Sequence, residues 1–257
     1  IRSAHYKINS ESKNEYSPKT GYPPTWEPNS VLEKIYFPIR DFIWSFQIES
    51  AIKKYDLLNY DIYHFEWGLD FYRNCTFSKK IKSINKKIIC TYHGQDMRTR
   101  GVLKKLDTLS DLNLTSELDL LSKHPNLDYM FLPINVPSDL TLNKTSKKIK
   151  ICHSPTNRYY KGSNRIIADC KKFAENNNNV EFILIENMPH DQVIEIKKTC
   201  DILIDQVGDS GGWGYGMNSI EAMAHGLCCM TQMNAKCDDF FKNHPFININ
   251  ENNLIEK

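Results

Sequence analysis

Long apolar runs and paired cysteines are both missing from this chain. No run approaches the roughly 20 apolar residues that a membrane-spanning helix needs. None of the eight cysteines belongs to a Cys-x-x-Cys pair, which argues against a zinc or thioredoxin-like site. Most of them lie in or beside apolar runs, where a free thiol behaves as a small hydrophobic group. The cysteine pattern therefore predicts a reduced, cytoplasmic protein.

A charge excess and a nicotinamide-type glycine fingerprint are missing as well. The chain has 33 Lys and Arg against 31 Asp and Glu, a net charge of +2, so its charge predicts no nucleic-acid partner. No Gly-x-Gly-x-x-Gly follows a first strand with an acidic residue at the usual distance, which makes a nicotinamide-dependent enzyme the least favoured interpretation. With 257 residues, 40% of them hydrophobic, the chain can form two globular domains.

The first half of the chain alternates short apolar runs with polar segments. A capping box of Ser30 and Glu33 predicts a helix that Pro38 kinks or interrupts. Residues 9–29, with four prolines, are predicted to form a long loop. We expect a second helix over residues 39–54, strands over 4–8, 60–65 and 87–92, a lysine-rich solvated helix ending near 86, and a further apolar run over 129–133.

The second half follows a polar linker over residues 133–148 and alternates more regularly. Predicted strands cover residues 149–153, 180–186, 201–205 and 227–230, and predicted helices cover 163–175, 191–198 and 218–225. Near-continuous apolar strands that alternate with helices predict a parallel sheet covered on both faces. Two such units joined by a linker are expected to face a central cleft at the carboxyl ends of their strands.

The loop between the predicted strand over residues 201–205 and the next helix is rich in glycine. Its glycines include Gly211, Gly212, Gly214 and Gly216. Glycine lets the backbone approach a bulky group closely, and the N–H groups and dipole at the start of the helix favour an anion. The loop is therefore predicted to cradle a phosphate. The alternative is that Asn218 caps the helix and Glu221 completes a capping box, which needs no ligand.

Two cations follow the predicted strand over residues 149–153. Arg158 offers a planar fork for phosphate oxygens, and Lys161 offers a mobile point charge. Because their loop leaves the carboxyl end of a strand in the same sheet as the glycine-rich loop, we expect both cations to face the cradle and to neutralise a diphosphate without a metal. The alternative is that both are ordinary loop cations.

A histidine, a carboxylate and an arginine follow the predicted strand over residues 87–92. We expect His93 and Asp96 to face the cleft, where they are candidates for chemistry. The alternative is a loop histidine beside an ion pair of Asp96 with Arg98. Glu66 and Trp67 similarly follow the strand over residues 60–65, and Trp67 could stack on a sugar ring or belong to the core.

Four segments together resemble the GT-B glycosyltransferases, and more narrowly the retaining group that includes glycogen-synthase-like and family-four enzymes. The segments are His93-Gly-x-Asp-x-Arg98, His153-Ser-Pro-Thr-Asn-Arg-x-x-Lys-Gly162, Cys200-Asp-Ile-Leu-Ile-Asp-Gln206 and Gly214-Tyr-Gly-x-x-x-x-Glu-Ala-Met-Ala-x-Gly226. The resemblance implies an α/β fold of two Rossmann-like domains, an acceptor-side domain over residues 1–140 and a nucleotide-sugar-binding domain over residues 141–257. It also implies that both are incomplete, since the family's first strand would precede Ile1 and its closing helices would follow Lys257.

The resemblance also implies roles for individual residues. Arg158 and Lys161 would hold the donor diphosphate, and Glu221 would grip the nucleotide ribose. His93 and Asp96 would lie on the acceptor side as catalytic residues. The start of the last helix would share the diphosphate through Gly214, Tyr215, Gly216, Met217 and Asn218. No metal and no cofactor is expected beside the nucleotide-diphosphate sugar, and the other partner would be a glycan, lipid or small-molecule acceptor, with peripheral membrane association left open.

Two features depart from the pattern of that group. Trp213 stands where the family often has a second glutamate, which bears on contacts to the donor sugar, and the spacing from Arg158 to Lys161 is shorter than the commonest form. The leading interpretation is a metal-independent, retaining glycosyltransferase whose domains close over the donor. The alternatives are a nucleotide-sugar epimerase of the same fold and an inactive nucleotide-sugar-binding subunit or scaffold.

Overall fold

The computed structural model describes residues 22, 23, 25, 31–94, 96–138, 147–208 and 214–256, with only the backbone of Thr99. The chain divides into two compact units, Ile1–Phe131 and Leu132–Lys257. The predicted strand over residues 4–8, most of the loop over 9–29 and the cap at Ser30 lie outside the described residues. The predicted boundary between residues 140 and 141 also lies outside them, so that boundary and the roles of the two domains stay predictions.

The first unit contains a four-stranded parallel sheet in the order β1-β2-β3-β4. Its elements are α1 (Val31–Lys54), β1 (Ile62–Glu66), α2 (Thr76–Ser83), β2 (Lys87–Tyr92), a π-helical turn (Asp96–Arg100), α3 (Lys104–Leu109), β3 (Leu112–Thr115), a 3-10 turn (Leu118–Ser122) and β4 (Asp128–Tyr129). The lysine-rich helix α2 buries Phe77 and Ile81 one turn apart and leaves its lysines largely to solvent, as predicted. The strand β3 and the helix α3 were not predicted.

Helix α1 is continuous through Pro38, so the predicted interruption is wrong. A proline removes its own N–H, here the bond to the carbonyl of Lys34, and its ring crowds that carbonyl, so the alternative of a kink stays a prediction. Both Lys34 and Pro38 are exposed, so water can solvate that carbonyl. The intact turns on either side then keep the helix in one piece.

The second unit contains a five-stranded parallel sheet in the order β6-β5-β7-β8-β9. Its elements are β5 (Ile149–His153), α4 (Arg158–Lys161), α5 (Ser163–Asn176), β6 (Val180–Leu184), α6 (His190–Lys197), β7 (Ile202–Ile204), α7 (Met217–Ala224), β8 (Cys228–Thr231), α8 (Ala235–Phe240) and β9 (Ile247–Asn248). Every strand and helix predicted for this half is present, with ends shifted by at most two residues; α4, α8 and β9 were not predicted.

Both faces of this second sheet are buried. Neighbouring residues on one strand belong to opposite apolar clusters: Ile151 and Ile204 lie in one, Cys152 and Leu203 in the other. Helix α5 packs on the first cluster, while α6 and α7 contribute to the second. The prediction of a parallel sheet covered on both faces is thus confirmed.

The strand order places a topological switch point between β5 and β7. The chain runs from β5 outward to β6, then crosses back to place β7 on the other side of β5, which is the doubly wound order 2-1-3-4-5. In such sheets ligands bind in the crevice outside the carboxyl ends of the strands at the switch point. Within the described part of the chain, no helix is long and apolar enough to cross a membrane.

Candidate functional site

The loops that leave β5 and β7 contact each other and the first turn of α7. Lys161 Nζ donates to Asp205 Oδ1 at 2.9 Å, and Ser154 Oγ donates to Asn218 Oδ1 at 2.6 Å. The structure therefore brings the predicted residues Lys161 and Asn218 to the switch point, together with two residues that sequence reasoning did not select.

Helix α7 begins at Met217, with Gly216 as its N-cap in an extended conformation. The Gly216 N–H donates to Ser219 Oγ at 3.4 Å, and the Ser219 N–H donates to the Gly216 carbonyl at 3.0 Å. The predicted capping box of Asn218 and Glu221 is wrong, because Asn218 lies inside the helix and its amide binds Asp205 instead.

Two of the described glycines of the loop, Gly214 and Gly216, have different surroundings. Gly214 has a φ of +99°, and a Cβ there would lie 3.0 Å from Cys237 Sγ. A Cβ on Gly216 would meet no atom of the described residues within 4 Å. The ring of Tyr215 stacks on Phe246, with centroids 5.2 Å apart. Among the described residues nothing covers the helix start at Gly216; Gly211, Gly212 and Trp213 lie outside them.

Asp205 is the central residue that the sequence analysis missed. It is fully buried and accepts hydrogen bonds from Lys161, from Asn218 Nδ2 at 2.7 Å and from Ser219 Oγ at 2.6 Å. Burial by itself raises the pKa of such a carboxyl, but the Lys161 charge and these hydrogen bonds outweigh it and hold the pKa of Asp205 below its ordinary value. The sequence feature that could have identified Asp205 is an acidic residue at the end of an apolar strand.

The two predicted cations are each paired with a carboxylate. Lys161 binds Asp205 and also donates to Gln206 Oε1 at 3.2 Å. Arg158 forms a bidentate pair with Glu186, with Nε–Oε1 at 2.7 Å and Nη2–Oε2 at 2.5 Å, and this pair lies beyond β6 rather than at α7. The structure therefore brings Lys161 to the cradle and holds the Arg158 guanidinium at a neighbouring strand end.

Gly162 allows the loop that carries these cations to pack closely against the residues after β7. Gly162 has a φ of +63°, and a Cβ on it would lie 2.1 Å from the Val207 carbonyl oxygen. The Val207 N–H donates to the Lys161 carbonyl at 3.2 Å. Only glycine can occupy this position without moving the backbone of Lys161.

Glu221 faces α6. Its Oε1 accepts from His190 Nε2 at 2.9 Å, and its Oε2 accepts from Lys197 Nζ at 2.9 Å. Burial opposes ionisation, but the hydrogen bonds and charges of Lys197 and His190 outweigh it and lower the pKa of Glu221. The predicted contact with a ribose stays a prediction.

In the first unit, Asp96 supports the backbone of His93. The Asp96 carboxylate is fully buried and accepts the His93 N–H at 2.8 and 3.0 Å and the Met97 N–H at 2.7 Å. We expected Asp96 to lie on an acceptor surface, and its burial shows that this expectation is wrong. The carboxylate lies inside the unit because it accepts the hydrogen bonds that cap the turn after β2. Its role in chemistry stays a prediction.

The His93 ring lies at the end of β2 beside the end of β1. Its Nε2 is 2.9 Å from Glu66 Oε2, and its ring centroid is 6.2 Å from that of Trp67. The alternative ion pair of Asp96 with Arg98 is wrong, because Arg98 binds Glu117 and Asp119 through Nη2 at 2.5 Å each. Among the residues the structure describes, no group of three or more His, Cys, Asp or Glu could hold a metal ion.

No protein-family model and no curated protein matches the chain. Several solved structures are similar to it. One, from Listeria monocytogenes and assigned as a UDP-N-acetylglucosamine 2-epimerase, has 12% identity and a TM-score of 0.49, over 91% of this chain and 72% of that one. The UDP-GlcNAc 2-epimerase of Methanocaldococcus jannaschii has 8% identity and a TM-score of 0.47, over 88% and 73%. The spinosyn rhamnosyltransferase SpnG, complexed with thymidine diphosphate, has 11% identity and a TM-score of 0.38, over 78% and 60%.

Because their TM-scores are below 0.5, these structural similarities do not show what this chain binds or does. The fold is evident from the chain's own strand orders, which are parallel in both units. The chain therefore has the α/β architecture of two Rossmann-like units that the resemblance to the GT-B glycosyltransferases implies.

Proposed function

We propose that the chain is a glycosyltransferase and that its second unit binds the diphosphate of a nucleotide-diphosphate sugar at the switch point of β5 and β7. One observation carries this proposal. Lys161, the first turn of α7 and the open backbone at Gly216 meet at the carboxyl ends of these strands. A cation beside an uncovered helix N-terminus is suited to a phosphate.

The same geometry suits the departure of a nucleoside diphosphate. Negative charge develops on the leaving phosphate, where Lys161 and the N–H groups at the start of α7 would stabilise it. Arg158 can add a bidentate contact once it exchanges Glu186 for phosphate oxygens. Metal independence and retention of configuration follow from the resemblance to the retaining group.

On the acceptor side, His93 is the proposed catalytic residue and Asp96 its support. Glu66 accepts a hydrogen bond from the N–H at His93 Nε2, and so sets the orientation of the ring. Residues around this histidine would recognise the sugar and the acceptor, whether the acceptor is a glycan, a lipid or a small molecule.

A nucleotide-sugar-binding subunit without transfer activity is the second candidate. The observation that favours it is Trp213, which stands where the family often has a second glutamate for contacts to the donor sugar. An epimerase of the same fold is the third. It differs in that it would convert its nucleotide sugar with no acceptor present.

Calorimetry with UDP, GDP, ADP and pyrophosphate tests the proposed site. We expect Lys161→Met to weaken binding about ten- to hundred-fold, the contribution of one charge-assisted hydrogen bond. Lys198→Met is the matched control, because Lys198 forms an exposed pair with Glu195 and should leave binding unchanged. Failure of the wild-type chain to bind any of these ligands would contradict the proposal.

Incubation with nucleotide sugars then separates the three candidates. Sugar transfer that requires an acceptor supports the glycosyltransferase, and donor conversion without an acceptor supports the epimerase. Binding without either reaction, across a broad acceptor panel, supports the binding subunit.

A further inference from the structure

Asp205 joins the cation and the helix start of the proposed phosphate site. Its carboxylate is fully buried at the end of β7 and has three side-chain donors, one on α4 and two in the first turn of α7. A buried carboxylate close to an anion site repels the ligand, so its presence there has an electrostatic cost. We therefore expect Asp205 to have a function in the site that offsets its repulsion of the anion.

The contacts indicate that this role is to hold Lys161 in place. A lysine side chain is a point charge on a flexible four-carbon stem. Here Nζ lies between Asp205 Oδ1 at 2.9 Å and Gln206 Oε1 at 3.2 Å, so the ammonium is fixed over the end of β7. The neighbouring Val207 N–H holds the Lys161 backbone as well.

The same carboxylate orients the first turn of α7. Asp205 accepts from Asn218 Nδ2, which leaves Asn218 Oδ1 to accept from Ser154 Oγ on the loop after β5. Its other oxygen accepts from Ser219 Oγ. One buried group thus sets the position of the cation relative to the N–H groups of the helix start.

We propose that Asp205 is a positioning residue of the anion site, which acts on the ligand through Lys161 and Asn218 and does not touch it. This inference rests on the proposed function. It opposes a simpler possibility, in which Asp205 only neutralises Lys161 in the empty site and competes with the phosphate. Positioning predicts that loss of the Asp205 charge weakens binding, whereas competition predicts that it strengthens binding.

The test compares Asp205→Asn, Lys161→Met and the double variant in calorimetric titrations with pyrophosphate and UDP. We expect each single variant to bind about ten- to hundred-fold more weakly than the wild type. The double variant should bind no more weakly than Lys161→Met alone, because both substitutions disrupt the same placement of the Lys161 ammonium by Asp205. Asp169→Asn, which breaks the exposed pair with Arg165 on α5, is the control and should bind as the wild type does. Unchanged or tighter binding by Asp205→Asn, or losses that add in the double variant, would overturn the inference.

A ligand-free measurement supports the comparison. Acetylation of Lys161 by acetic anhydride, followed by mass spectrometry, should be faster in Asp205→Asn because Nζ has lost its fixed acceptor; an unchanged rate would overturn the inference. If Asp205→Asn does not fold, Gln206→Leu removes the second acceptor of Lys161 Nζ without a change of charge and should show the same two effects in weaker form. A wild-type chain that binds none of pyrophosphate, UDP, GDP and ADP would refute the proposed function, whereas binding fully retained by Asp205→Asn would refute only the role of Asp205.

Discussion

Lys197 Nζ donates to Glu221 Oε2 at 2.9 Å, and the Lys197 side chain is only 1% exposed. A lysine is almost never fully buried without a partner. The pair connects α6 to α7 beside the apolar cluster that contains Ala222. Glu221 therefore has a structural task in addition to the ribose contact that the resemblance implies.

The Glu221→Ala variant should be strongly destabilised. Removal of this carboxylate leaves the Lys197 ammonium buried and unpaired, which costs about 3–5 kcal/mol in the free energy of unfolding. Urea denaturation measures the loss. Glu195→Ala, which removes the exposed partner of Lys198, is the control and should cost less than about 1 kcal/mol. A Glu221→Ala variant as stable as the wild type would show that the pair contributes nothing.

Two substitutions at Gly216 separate the helix cap from the ligand site. Asn and Asp are both good N-cap residues, and the extended backbone at Gly216 accepts either, so neither variant should lose stability. Gly216→Asp places a negative charge where we propose the phosphate, and should bind pyrophosphate at least about ten-fold more weakly than Gly216→Asn. If calorimetry gives equal affinities for the two variants, the anion does not bind at this helix start.

Gly214 supplies the comparison for these variants. Its φ of +99° and the 3.0 Å approach of a Cβ to Cys237 Sγ predict that Gly214→Ala loses about 1 kcal/mol or more of stability. Thermal denaturation of the Gly214 and Gly216 variants side by side should therefore show a loss for the former alone.

Substitution of Glu186 should strengthen binding of a diphosphate. Arg158 must leave its bidentate partner to contact the ligand, so Glu186→Gln removes a competitor and should tighten pyrophosphate binding by up to about five-fold. Asp169→Asn breaks an equally exposed arginine pair on α5 and should have no effect. Weaker binding by Glu186→Gln would mean that Glu186 orients Arg158 for the ligand.

The buried ring of His153 predicts a dependence of stability on pH. His153 Nδ1 lies 2.7 Å from the Ile204 carbonyl, which can only accept, so the neutral ring carries its proton there and its Nε2 accepts from Ser163 Oγ at 2.8 Å. Burial lowers the pKa of His153 below its ordinary 6.5. The unfolded chain therefore binds the extra proton first, and stability falls as the pH drops below 6.5 toward the lower pKa of the folded state.

Denaturation at pH 8, 7, 6 and 5.5 measures this effect. The slope that His153 contributes is at most about 1.4 kcal/mol per pH unit. His153→Gln should be less stable throughout but show a flatter profile between pH 7 and 5.5. Parallel profiles for the two proteins would assign the pH dependence to other groups.

Local patterns were sufficient to predict the second unit's sheet and part of its site. The strand over Ile149–His153 was predicted with its observed bounds, because an apolar run between polar segments is a local signal. Lys161 was selected because it follows a strand whose carboxyl end lies at the same sheet edge as the glycine-rich loop, and Asn218 was selected from the resemblance to the GT-B glycosyltransferases. The cap of α7 was predicted wrongly, since an Asn and a Glu at capping-box spacing match the pattern whether or not the Asn side chain is taken by another partner.

The sequence by itself determined the α/β alternation, the glycine-rich approach to α7 and the set of charged residues that reach the strand ends, since all of these depend on neighbours in the chain. Only the tertiary structure decided which charges meet. Asp205 binds Lys161 across 44 residues, Glu221 binds Lys197 across 24, and Arg158 binds Glu186 across 28. These partners are selected by strand order and register, and with 31 acidic residues available for 33 basic ones no local pattern distinguishes one pairing from another.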